Sequence, residues 1–152
     1  MNRRAQIAMT PEAQAAFLAG AKTLILSSID PTGYPHSVAM WFSLIDGIMH
    51  MTTFRKSQKV VNLRRNPKVS LLAESGIRYE ELRGLMIRGR AEILEDIDLC
   101  ADILADVQSR YFGSNDPSVR DVLRRQAAKR VAIRVRAERI ASWDHSKLGG
   151  VY

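Results

Sequence analysis

The segment Thr52 to Pro67, Thr-Thr-Phe-Arg-Lys-Ser-Gln-Lys-Val-Val-Asn-Leu-Arg-Arg-Asn-Pro, has the residue types of an anion site. It reads as the end of a strand, a basic loop and a short helix. Ser57 suits the N-cap, where its hydroxyl would accept from a backbone N–H two or three residues on, and Lys59 then falls in the first turn. Unpaired N–H groups and the positive end of the helix dipole meet there, so a cation gains little by itself. A phosphate or carboxylate beside Lys59 would resolve the conflict. Composition and spacing alone equally allow a solvated charged face, and at this point both readings stand.

Other chemistries find less support. His36, His50 and His145 are far apart and show no HxxxH or CxxC spacing, so no metal site is expected. His36 follows a turn and reads as a polar strand-edge residue, and His50 as a satisfied sheet histidine. His145 could be held by Asp144 or lie on the surface. Cys100, the single cysteine, sits in an apolar helical pattern and reads as a small core residue. The chain has no GxSxG elbow, GxGxxG turn or Walker lysine.

The charge of +7 is uneven. Residues 55–68 hold six basic and no acidic side chains, and residues 120–139 hold eight basic and two acidic. Nucleic-acid binding would call for aromatic stacking positions or a reading helix, and only 7% of residues are aromatic. Small anionic ligands explain the pattern better. At 152 residues, 46% of them hydrophobic, the chain fits one globular domain. Its apolar runs are strand-sized, far short of a membrane span, and Met1 to Thr10 lacks a secretory layout, which predicts a cytoplasmic protein.

The elements that must position these residues follow from period and punctuation. Thr10-Pro11-Glu12 starts a helix that Gly20 can end. Residues 23–28 and 36–44 read as a hairpin across the turn Asp30 to Pro35. The tight Asp46-Gly47 signal sets residues 48–53 antiparallel to 36–44. Strands follow at 68–74 and 84–94. Helical spacing of Ile97, Cys100, Ile103, Leu104, Val107 and Tyr111 predicts one helix. Asp116-Pro117 announces another, with Val119, Val122, Leu123 and Gln126 along a stripe. Residues 130–136 alternate as a strand, with Arg130, Arg134 and Arg136 on one face. A last strand near Ile140 reaches Trp143, and residues 149–152 form a loose tail. Six or seven hairpin-linked strands with few helices predict a closed or nearly closed antiparallel barrel.

Residues 23–94, through Lys59, Asn62-Leu63, Asn66-Pro67, Val69 to Leu72, Gly84 and Gly89 to Leu94, resemble the pyridoxamine 5'-phosphate oxidase-like family of split β-barrel flavoproteins. With Lys56 to Lys59, Tyr79 to Gly84 and Ser142 to His145, the chain most resembles the flavin/deazaflavin oxidoreductase branch. The resemblance implies a mainly β fold with helices: a six-stranded antiparallel split β-barrel in one domain over 1–152, acting as a homodimer. Its parts would be a helix at about 10–20, barrel strands at about 23–94 and 130–143, and two helices at about 95–129.

The resemblance also implies that Lys59 binds a cofactor phosphate, helped by Arg55, Lys56, Ser57 and Asn62. Strand residues His36, Val38, Met40 and Trp41, with Thr52 and Thr53, would contact the ring. Arg83 and Gly84 fall where the partner subunit reaches it. The vitamin-processing oxidases carry arginines where this chain has Gln58 and His36, and a C-terminal substrate-binding arginine that is not evident here. That difference implies the deazaflavin coenzyme F420, with FMN as the alternative. Hydride transfer to or from a small conjugated molecule is the expected reaction, and a non-catalytic flavin, deazaflavin or tetrapyrrole carrier is the alternative. No proton donor is assigned, and Trp143 reads as a packed tryptophan that could also line the site.

Overall fold

The structure, a computed structural model, describes residues 2–113 and 116–150. Two short helices open the chain, α1 (Arg3–Ile7) and α2 (Pro11–Gly20). The expected caps form in α2, where Thr10 Oγ1 accepts from the backbone of Ala13 and Pro11 takes the first position. Helix α1 is an addition that the polar N-terminus did not announce.

Seven strands follow: β1 (Leu24–Ile29), β2 (Pro35–Met40), β3 (Ser43–Ile45), β4 (Ile48–Phe54), β5 (Lys68–Ser75), β6 (Arg83–Leu94) and β7 (Arg130–Asp144). Helix α3 (Gln58–Arg65) links β4 to β5, and α4 (Ile97–Phe112) with α5 (Arg120–Ala127) links β6 to β7. All pairings are antiparallel, in the order β2-β1-β5-β6-β7-β4-β3.

This order forces curvature. A flat seven-stranded sheet would hold its edges roughly 29 Å apart at ~4.8 Å per strand. Yet edge strands β2 and β3 are joined by Trp41 and Phe42 alone, a step of at most about 11 Å from Met40 to Ser43. The sheet therefore curls into a half-barrel, the split barrel expected. Its seven strands fall within the six or seven read from the sequence: the expected strand over 36–44 breaks at Trp41-Phe42 into two, and the two expected C-terminal strands merge into one.

At that break alternation fails. Trp41 turns outward onto α4, while Phe42 and Ser43 are both buried. Strand β4 consequently pairs with residues 43–45 and with β7, not with residues 36–40. The Asp46-Gly47 turn forms as read, with φ of 51° and 74°. The two expected C-terminal strands are one, β7, whose register against β6 shifts between Arg88 and Gly89.

Leu24, Leu26, Phe42, Met51, Leu71 and Ile133 lie at the centre of the barrel core. A second cluster, Cys100, Ile103, Val107, Ala127 and Ala132, seats α4 and α5 on the outer face of the sheet. Cys100 is the small core residue expected. The α5 stripe runs through Leu123 and Ala127, with Val122 exposed. Of the tail, Val151 and Tyr152 lie outside the described residues.

Candidate functional site

Lys59 is where the expected site becomes physical. It projects from the first turn of α3 to donate to Thr53 Oγ1 at 3.1 Å, and the threonine is buried at the end of β4. Ser57 takes the N-cap backbone conformation, but its hydroxyl makes no cap bond to the helix. It lies instead 3.4 Å from Thr53 Oγ1. The expected capping bond is thus exchanged for a cluster of Ser57, Thr53 and Lys59 at one barrel end. Burial, and secondly the charge of Arg130, hold the Lys59 ammonium below its ordinary pKa. Neither Lys59 nor Arg130 has a carboxylate partner among the described residues.

Two neighbouring cations without an acid, one of them half-buried, form a corner that fits a phosphate or carboxylate. The donor set also fits: an ammonium, two hydroxyls and a guanidinium are groups that hold an anion.

The other expected residues divide. Asn62 is fully buried; it donates to Ser28 Oγ at 3.1 Å and accepts from Gln58 at 2.8 Å, which pins α3 to β1. Gln58 thus holds the amide of Asn62, the residue that ties the Lys59 helix to β1. Arg55 turns to Glu95, shared with Arg64 at 3.5 and 3.0 Å, while Lys56 is exposed. His36, Val38 and Met40 pair with Ser28, Leu26 and Leu24, so they share the barrel-facing side of β1 and β2. His36 Nδ1 is buried without a hydrogen bond.

Met40, Trp41 and Thr52 meet in a cleft of about 450 Å³ between the β2–β3 break, α4 and α5. Phe112, Gln126 and Arg130 complete its rim. In the sequence Gln126 belongs to a helical stripe and Arg130 to one face of a strand with Arg134 and Arg136, and neither pattern points to a cleft. Their convergence arises from packing of α4 and α5 on the sheet, which local spacing does not encode.

Arg83 and Gly84 lie apart from this corner, at the far end of β6. Arg83 bonds Asp144 at 3.2 Å, and a Cβ on Gly84 would collide with the Trp143 ring. Burial works against the Asp144 charge, but hydrogen bonds from Ser146 and Arg83 hold its carboxyl below the usual range. Trp143 packs on Gly84 and also lines a groove beside α1. His145 is held by the Tyr79 carbonyl at 3.0 Å, not by Asp144. His50 is satisfied by the Ile48 carbonyl at 2.8 Å, as expected.

A mainly β half-barrel of this strand order matches a known class. The chain belongs to the pyridoxamine 5'-phosphate oxidase family, whose model matches residues 10–144. Among solved structures, a conserved hypothetical protein of Mycobacterium tuberculosis is 40% identical, over 100% of this chain and 95% of that one, with a TM-score of 0.93. An F420 reductase is 28% identical, over 86% of this chain and 98% of its own, with a TM-score of 0.67. The heme storage protein HutZ of Vibrio cholerae shares the fold at 20% identity and a TM-score of 0.68, over 92% of this chain and 99% of that one. No curated protein matches the chain. Among the described residues, no helix is long and apolar enough to cross a membrane.

Proposed function

We propose that the protein is a cytoplasmic oxidoreductase that binds F420, with FMN as the alternative, and passes a hydride between it and a small conjugated molecule. The observation that carries this reading is the Lys59–Thr53–Ser57 cluster beside Arg130, a partly desolvated cationic corner with no acidic partner among the described residues. The 28% identical F420 reductase supports the choice of deazaflavin.

In this reading Lys59 and the Thr53 and Ser57 hydroxyls grip the cofactor phosphate, with Arg55 and Lys56 adding positive potential at the rim. Asn62 acts one step back, by fixing α3 to Ser28. The ring lies along His36, Val38, Met40 and Trp41, with Thr52 at its edge. When bound, the deazaflavin or flavin supplies the hydride chemistry, and the protein orients the ring and keeps water from it.

A second copy of the chain completes the site. Ile25, Leu72, Met86 and Ala141 are in register across β1, β5, β6 and β7 and form an apolar row on the outer sheet face, with Met86 38% exposed. Covering such a row is the ordinary use of a dimer interface. It brings Arg83 and Gly84 of one copy toward the ring of the other.

Purified protein titrated separately with F420, FMN and heme, while cofactor fluorescence or the heme absorption band is followed, ranks the ligands. Reduced cofactor is then offered a panel of conjugated acceptors. F420 binding with acceptor-dependent oxidation is the expected result. Binding without turnover of any acceptor makes the protein a carrier, and no F420 or FMN binding below about millimolar removes the cofactor reading.

A further inference from the structure

The outer face of the sheet carries charges that its own chain leaves unanswered. Arg88 on β6 and Arg139 on β7 are directly opposite in register, so both side chains stand on one face, and both residues are exposed. Like charges placed opposite one another repel, yet neither arginine has an ion pair among the described residues. The acid beside them in sequence is diverted. The register shift after Arg88 leaves Glu138 out of the ladder, and its carboxylate accepts from Arg90 at 2.9 Å.

Glu74 on β5 is the complementary charge. It is exposed and has no cation in ion-pair contact among the described residues. Alternation puts it on the same face as Leu72, so the apolar row through Leu72, Met86 and Ala141 has an acid on one side and two arginines on the other. Glu74 lies two residues beyond Leu72, and Arg88 and Arg139 lie two residues to the opposite side of Met86 and Ala141, roughly 7 Å from the row in each direction. Within one copy the two signs are therefore roughly 13 Å apart along the strands, too far to pair.

We propose that these charges set how two copies of the chain meet: the apolar rows pack on each other with their strands antiparallel, and Glu74 of each copy lies against Arg88 and Arg139 of the other. This orientation rests on the second-copy reading given above, and not on the identity of the cofactor. A two-fold axis along the row carries the acidic side of one face onto the basic side of the other. Sheets packed face to face lie about 10 Å apart, a gap that a glutamate and an arginine side chain span together. The other face-to-face axis, along the strands, would bring the arginines of both copies together, so the charge pattern selects against it. The favoured rotation also turns the Arg83–Gly84 end of each copy toward the Lys59 end of its partner, because α3 and the start of β5 lie at the far end of β6 from Gly84.

The test uses the full chain, sedimentation velocity and charge reversal. Wild type should be a dimer at about 10 μM. Glu74→Arg should weaken the dimer at least about tenfold, and the double variant Arg88→Glu with Arg139→Glu should do the same, because each sets like charges against each other. Mixing the two variants should restore dimers, as heterodimers, to within about threefold of wild-type affinity, since every contact is then between opposite charges. All three positions are exposed, which favours folded variants. Glu74→Gln keeps the side-chain shape and gives an independent reading: its dimer should be weaker than wild type and should lose part of the salt dependence.

A dimer indifferent to Glu74→Arg, reversed variants that form no heterodimer on mixing, or an unchanged salt dependence in Glu74→Gln would overturn the inference. A wild-type monomer removes it together with the second-copy reading. F420 titration of the same samples separates it from the cofactor reading. A dimer that binds F420 and ignores Glu74→Arg removes this inference alone, and a charge-coded dimer that binds neither F420 nor FMN removes only the cofactor reading.

Discussion

Two basic regions of this molecule look alike in sequence and differ in structure. On β7, Arg134 and Arg136 share Glu92, and Arg90 of β6 meets Glu138 at 2.9 Å. At the barrel end, Lys59 and Arg130 have no acid to share among the described residues. The first arrangement closes its own electrostatics, whereas the second leaves a partly desolvated positive corner that an anion completes. Net charge does not locate a site; cations left without acids where water is excluded do.

The sharpest way to break the contrast is to delete one cation from each region. Lys59→Ala should weaken F420 or FMN binding by about tenfold to a hundredfold, the range for one charge-assisted hydrogen bond. Arg136→Ala, in the self-neutralised region, should leave cofactor affinity within about twofold, because exposed ion pairs carry little energy. Equal losses in both variants, read by fluorescence titration, would mean that diffuse charge rather than a built corner holds the cofactor.

The next effect is on stability at the far end of β6. Gly84→Ala drives a methyl group into Trp143 and to 2.9 Å of the Ala73 carbonyl, and should cost about 1–3 kcal/mol by thermal unfolding. The paired variant Gly84→Ala with Trp143→Ala should show strong non-additivity, since the second change removes the ring the first collides with. Simple addition would detach Gly84 from Trp143.

A smaller effect lies in pH. Burial, then Arg130, lowers the Lys59 pKa from the ordinary 10.5, so at alkaline pH the unfolded chain binds more protons than the folded one. Stability of the ligand-free protein should therefore gain a contribution that rises with pH through the window below 10.5. Cofactor affinity should move the opposite way, falling as Lys59 loses its proton. Lys59→Arg should flatten that fall, because a guanidinium stays charged. An unchanged pH profile in Lys59→Arg would assign the titration to another group.

Much of this was legible in the chain. Thr10-Pro11 gives the start of α2, Asp46-Gly47 the turn, and the Thr52 to Pro67 segment the strand, loop and helix that carry Lys59. The site beyond Lys59 was less legible because it is made by tertiary packing. Alternation places Arg130 beside Arg134 and Arg136, and only helices α4 and α5, seated on Cys100 and Ala127, turn its surroundings into a cleft wall. The break at Trp41-Phe42 likewise depends on Tyr111, seventy residues downstream of Trp41, which captures the indole and frees Phe42 to enter the core.

The central claim is that the Lys59 corner anchors the phosphate of a flavin-type cofactor. Its most direct test is a fluorescence titration of F420 against wild type and Lys59→Ala, with riboflavin and FMN as a pair that differs only in the phosphate. The account predicts that wild type prefers FMN to riboflavin and that Lys59→Ala loses this preference together with F420 affinity. A Lys59→Ala protein that still distinguishes FMN from riboflavin as wild type does would contradict it.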